Sequence, residues 1–212
     1  MAEFASRPGE RFVIVGCAFK MTLNPHTCLT ASIHAYRIHQ NDRGRVHLEF
    51  LHKTPVDDVP GAVAPFQGRL LAGVGRILRI YDMGKKKLLR KCENKKIATF
   101  ITNIETTGYR IVANDIQESF HFLKYKRNDN QLVLFADDTN PSFLTCGCIL
   151  DYDTVAGADK FGNVFFKRLP TDVRDDVDED PTGVKALWDR GVLNGASQKV
   201  LNQLLCEISC LC

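Results

Sequence analysis

From Phe12 to Leu169 the chain alternates short runs rich in Val, Ile, Phe and Tyr with Gly, Asn and Asp turns, and almost nowhere spaces apolar residues as a helix would. Period-two runs of strand length, punctuated by turn residues, predict an all-β chain. Three stretches carry the pattern most clearly: "RLLAGVGRILRIYD", "YRIVANDIQESFHFLKY" and "DTVAGADKFGNVFFKRL". Each runs from apolar residues through an alanine and a turn into a second strand. In that strand an outward set, such as Ile77, Arg79 and Tyr81, is expected to alternate with an inward set, such as Leu78 and Ile80. The alanines, Ala72, Ala113 and Ala156, stand 41 and 43 residues apart. "RFVIVGCAF" supplies a fourth copy, with Gly16 at the alanine position and a longer loop before "ASIHAYRI".

A unit of roughly 40 to 45 residues with four short strands is the repeat of a β-propeller. The spacing therefore predicts an antiparallel partial propeller of about four WD-like blades over 1–170, with turns at 73–76, 114–118 and 157–163. Further strands are expected in "HLEFLHKTPV", "KLLRKCEN", "ATFITNIETT" and "QLVLFADD". Small residues at the repeated position suit inner strands that crowd toward a central channel. After the blades, 171–198 reads as an acidic linker and loop, and 199–212 as a short C-terminal amphipathic helix with Leu201, Leu204, Leu205, Ile208, Leu211 and Cys212 on one face.

"LDYDTVAGADKFGN" raises a competing reading, because Asp151 and Asp153 stand where a calcium loop begins. Such a loop needs oxygen ligands at alternate positions and a glycine at the sixth, and Val155 and Ala156 occupy those places. The hairpin reading, with "ADKFGN" as its turn, is preferred.

Charge changes the picture along the chain more than in total. Residues 1–130 hold 21 Lys and Arg against 12 Asp and Glu, whereas 131–212 hold 7 against 13. The positive excess concentrates in "KKKLLRKCENKK", whose Lys85, Lys86, Lys87, Arg90 and Lys91 are the candidate nucleic-acid contacts. The competing reading is a solvated strand edge whose charges deter sheet-to-sheet pairing. No aromatic residue interleaves the run to stack a base, which favours the solvated edge.

Of the eight cysteines, none forms a CxxC pair, and the start "MAEFASRPGER" lacks the basic and apolar regions of a secretory signal. Free thiols are expected, with Cys146 and Cys148 on one face of a strand. The six histidines show no ligand spacing, so no metal site is expected. No apolar stretch approaches the roughly 20 residues that cross a bilayer, so a membrane partner is not expected either. "AGVGRI" lacks a third glycine and runs into a strand, and GxxxxGK[ST], HExxH and GxSxG are absent. A catalytic role, a cofactor and a small-molecule substrate are all unexpected on these grounds.

"LEFLHKTPV", "APFQGRLLAGVGRILRIYD", "QESFHFLKYKRNDNQL", "LDYDTVAGADKFGN", "DEDPTG" and "KALWDRGVLNGASQK" closely resemble the C-terminal propeller region of the splicing factor 3b subunit 3 family. These large propeller proteins are related to damaged-DNA-binding protein 1 and to the largest cleavage and polyadenylation specificity factor subunit. The resemblance runs from about Arg11 to Lys199; "VLNQLLCEISCLC" departs from it, so the chain reads as a short form of that region. It implies a non-catalytic nuclear scaffold of the complex that recognises the intron branch site. The implied partners are a helical-repeat subunit and a small helical subunit of splicing factor 3b, with RNA contact indirect. A direct nucleic-acid-binding propeller module, of the cleavage/polyadenylation or DNA-damage-binding type, is the alternative.

Overall fold

Seventeen strands make up the regular structure of residues 1–23, 26–40, 45–138 and 140–170, which the computed structural model describes. The expected linker 171–198 and tail helix 199–212 lie outside the described residues. The first sheet contains β1 (Ala2–Phe4), β2 (Arg7–Phe19), β5 (Thr30–Gln40) and β6 (Val46–Val56), in that order. The pair β3 (Thr22–Leu23) and β4 (His26–Thr27) sits within the long β2–β5 connection. The second sheet holds β7 (Pro60–Phe66), β8 (Arg69–Val74), β9 (Ile77–Asp82) and β10 (Leu89–Asn94) as a meander. The third repeats this with β11 (Ile101–Thr107), β12 (Arg110–Asp115), β13 (Phe120–Lys126) and β14 (Gln131–Asp137). The fourth has β15 (Leu144–Ile149), β16 (Thr154–Asp159) and β17 (Val164–Arg168). Every pairing within the four sheets is antiparallel, and the sheets pack in succession as the blades of a partial propeller.

Local chemistry sets the turns. Gln67 and Gly68 both take positive φ, 48° and 69°, which is the type I′ geometry that follows strand twist in a two-residue hairpin between Phe66 and Arg69. In "ADKFGN" the Asp159 carboxylate accepts from the Phe161 and Asn163 amides at 2.8 and 2.9 Å, so the loop is pinned by its first residue. Asp151 does the same for the Asp153 and Thr154 amides at 2.8 and 2.7 Å, which is how the supposed metal ligand is spent. The fully buried Asp115 accepts from Thr99, Phe100, Gln117 and Glu118, tying the β10–β11 connection to the β12–β13 turn.

The core is a series of apolar layers between neighbouring sheets. Phe4, Phe12 and Ile33 meet Leu70, Ala72 and Val74 between the first and second; Leu71, Leu78 and Ile80 meet Ile104, Ile111 and Leu123 between the second and third. Val112, Phe120 and Phe122 meet Leu144 and Val155 between the third and fourth. Both faces of β8 and β12 are therefore buried. This corrects the expected outward face of β9: Arg79 and Tyr81 are buried like Leu78 and Ile80, because a middle blade has a neighbour on each side.

The repeated alanines also need correction. They stand on the second strand of each sheet, while β7, β11 and β15 are the strands that adjoin one another from blade to blade. Ala72 and Ala113 face the preceding sheet, whereas Ala156 clusters with Cys146 and Ala158 on the opposite face from Val155. The β15–β16 connection spans Leu150–Asp153 instead of two residues, and Ala156 is the third residue of its strand where Ala72 and Ala113 are the fourth, which turns it to the other face.

Arginines link neighbouring blades. Arg69 donates to the Tyr125 hydroxyl at 2.7 Å, and Arg110 donates to the Tyr152 carbonyl and lies 3.6 Å over that ring. Arg79 bonds Asp57, on the connection between the first two sheets, at 2.5 Å and Glu93 at 3.0 Å. Burial works against the Arg79 charge, but the bonds to Asp57, Tyr81 and Glu93 overrule it and its pKa rises.

Two outcomes are expected. A Cβ on Gly73 would stand 2.6 Å from the Ile101 side chain of the next sheet, so Gly73→Ala should cost about 1–3 kcal/mol in denaturant unfolding. Arg79→Ala should cost about 2 kcal/mol at pH 7, below the roughly 3–5 kcal/mol of a fully buried pair because Asp57 is 75% exposed. The carboxyl pKa of Asp57 is depressed by the Arg79 hydrogen bond, and that of Glu93 is depressed by Lys95 and Arg79 against the upward push of burial. Their contribution is thus full above about pH 5 and lost as pH falls through the ordinary and then the lowered folded values, so the gap between wild type and Arg79→Ala should shrink in unfolding curves at acid pH.

Candidate interaction site

Lys85, Lys86 and Lys87 lie on the β9–β10 connection, which is held at both ends by apolar anchors. Met83 and Leu88 are buried against the first sheet, the Met83 amide bonds the Asp82 carboxylate at 2.8 Å, and the Leu88 amide bonds Thr54 Oγ1 at 2.8 Å. The three lysines between them are exposed and have no ion-pair partner among the described residues. Arg90 and Lys91 stand on β10, the outer strand of its sheet, and are already engaged: Arg90 with Glu93 at 3.0 Å, Lys91 with Asp82 at 3.9 Å. The five residues read as one basic cluster therefore split into an unpaired lysine loop and two paired strand positions.

The structure brings Lys87 and Arg90, but not the other three, into a cavity of about 420 Å³ on the seam between the first and second sheets. Thr54, Pro55, Asp57, Arg79, Tyr81, Leu88 and Leu89 complete its lining. Sequence reasoning missed Thr54, Arg79 and Tyr81. Only the arginine's place in an apolar strand hinted at a charge that needed partners, and its partners are 22 and 14 residues away. Burial raises the Tyr81 hydroxyl pKa, with Arg79 opposing. Burial likewise pushes the Cys92 thiol up to about 11, with Arg69 opposing, so it is a poor nucleophile at neutral pH.

A second concavity, about 460 Å³, is lined by Thr102, Ile116, Gln117, Phe143, Leu144, Thr145 and Lys160. There the Lys160 ammonium rests 3.9 Å over Phe143 and 5.1 Å over Phe161. Neither cavity pairs a nucleophile with a general base; the first offers hydrogen-bond donors and cations, the second apolar surface.

Comparison with known proteins accounts for the strand pattern over nearly the whole chain. Residues 1–210 match the family described as the CPSF A subunit region. The chain is 58% identical over 199 residues to "Splicing factor 3B subunit 3" of Danio rerio, covering 94% of this chain and 16% of that protein. It is 55% identical over 194 residues to the protein of the same name in Drosophila melanogaster, covering 92% of this chain and 16% of that protein. It is also 54% identical over 199 residues to "Spliceosome-associated protein 130 A" of Arabidopsis thaliana, covering 93% of this chain and 16% of that protein. The chain thus spans about a sixth of the length of these curated relatives, and with blades, turns and sequence in agreement it belongs to the CPSF A subunit region family.

Proposed function

We propose that this chain is a non-catalytic scaffold region of a nuclear complex that recognises the intron branch site in pre-mRNA splicing. Its partners on this reading are splicing factor 3b subunits, one a helical-repeat protein and one small and helical. The observation that carries it is the 58% identity to a splicing factor subunit across 94% of the chain. The architecture supports it: sheets rigidly packed face to face hold their loops and outer strands in fixed positions, which suits a surface on which other proteins assemble. Cofactor chemistry and a small-molecule substrate have no part in this reading.

Direct nucleic-acid binding is the second reading, favoured by the three unpaired lysines of the β9–β10 connection. The two predict different responses to salt. A binder that neutralises several phosphates loses affinity steeply between about 50 and 200 mM salt, with a slope close to 0.7 per phosphate neutralised on a single strand. We expect the tagged chain to recover splicing factor 3b subunits from nuclear extract and to show little RNA affinity near 150 mM salt, an ionic strength at which surface charges are largely screened. Failure to recover those subunits, together with steep salt-dependent RNA binding that loses about two units of slope in the triple variant Lys85→Gln, Lys86→Gln, Lys87→Gln, would replace the scaffold reading with the second.

A further inference from the structure

We infer that the cavity between β6 and the β9–β10 connection receives an acidic peptide segment of a protein partner, an inference that rests on the scaffold reading. Its donors converge. Thr54 Oγ1 already accepts from the Leu88 amide, so its hydroxyl proton is left to donate. Tyr81 brings a hydroxyl to the same lining, beside Arg79. Lys87 adds an ammonium with no partner among the described residues.

The charges are also unbalanced. Glu93 serves Arg79, Arg90 and Lys95, at 3.0, 3.0 and 3.2 Å, and Asp57 serves Arg79 as well. Two carboxylates against three cations leave one positive charge unmatched, and the unpaired Lys87 at the cavity deepens the deficit. An incoming carboxylate would meet donors already held in place by packing, so little ordering is needed to bind it.

Three features favour a protein segment over RNA. Pro55, Leu88 and Leu89 give the cavity an apolar wall that suits an aliphatic side chain next to the acid. Its one aromatic ring, Tyr81, is buried and offers no open face on which a base could stack. Arg79 is locked by two carboxylates on the protein, which fixes its direction and suits a defined side chain better than a sliding phosphate backbone.

The test uses the whole chain and fluorescence polarisation with three probes. One is a dye-labelled decapeptide of Asp and Glu around a single Leu; the second is the same peptide with Asn and Gln; the third is a ten-nucleotide single-stranded RNA. Wild type should bind the acidic peptide, and the amide peptide should bind at least about tenfold more weakly. The double variant Lys87→Gln, Arg90→Gln alters two exposed side chains and should melt like wild type, yet lose about tenfold in acidic-peptide affinity. Equal peptide binding by wild type and variant, or RNA binding that exceeds peptide binding and depends on these two residues, overturns the inference. Recovery of splicing factor 3b subunits, followed in parallel, reports on the scaffold reading separately: recovery without peptide binding removes the cavity's role alone, and no recovery removes the scaffold reading itself.

Discussion

Face-to-face burial between consecutive sheets is the constraint on which everything else in this molecule depends. A sheet of three or four short strands cannot exclude enough water alone, and each one here obtains its core from its neighbours. Phe12 and Ile33 reach the second sheet, Leu71 and Leu78 the third, and Phe120 and Phe122 the fourth. Close approach then limits volume at the points of contact. Gly73 lies where any side chain would collide with Ile101, and Gly157 where one would collide with Leu144 and Phe120. Packing this tight leaves each blade little freedom to shift, so the loops between strands are presented in fixed register.

The same sandwiching explains the polar features. A middle strand has no solvent face, so every side chain on it must either be apolar or bring its own partners. Arg79 and Arg110 are the outcome: each is buried, and each is bonded to groups of an adjoining segment. Such pairs add little net stability over apolar packing, but removing one member exposes the cost of the other. Their role is therefore to fix which surfaces meet, and the candidate cavity forms where one of them, Arg79, reaches the seam between two blades.

The charged run shows how far a linear reading can be trusted. Lys85, Lys86, Lys87, Arg90 and Lys91 look like one patch because they are neighbours in sequence. In the fold, buried Met83 and Leu88 clamp the loop, β10 carries the last two residues onto an edge strand, and Glu93 and Asp82 neutralise them in part. Family membership was legible from long strings such as "LEFLHKTPV" and "LDYDTVAGADKFGN", since such strings seldom arise by chance. Of the lining of the candidate cavity only Lys87 and Arg90 stood out in the sequence, as local charge, while Thr54, Arg79 and Tyr81 enter through the packing of two sheets.

By itself the sequence determined the all-β character, the hairpin around Asp159–Asn163, and the near-regular spacing of the blades. These depend on alternation and turn chemistry within a few residues, and such interactions are written locally. The tertiary structure alone decided that Arg79 and Tyr81 are buried and that Ala156 faces away from the preceding sheet, unlike Ala72 and Ala113. Which face of a strand is covered depends on whether another sheet lies beyond it and on the length of the connection that sets its register, and period-two alternation is identical in both cases.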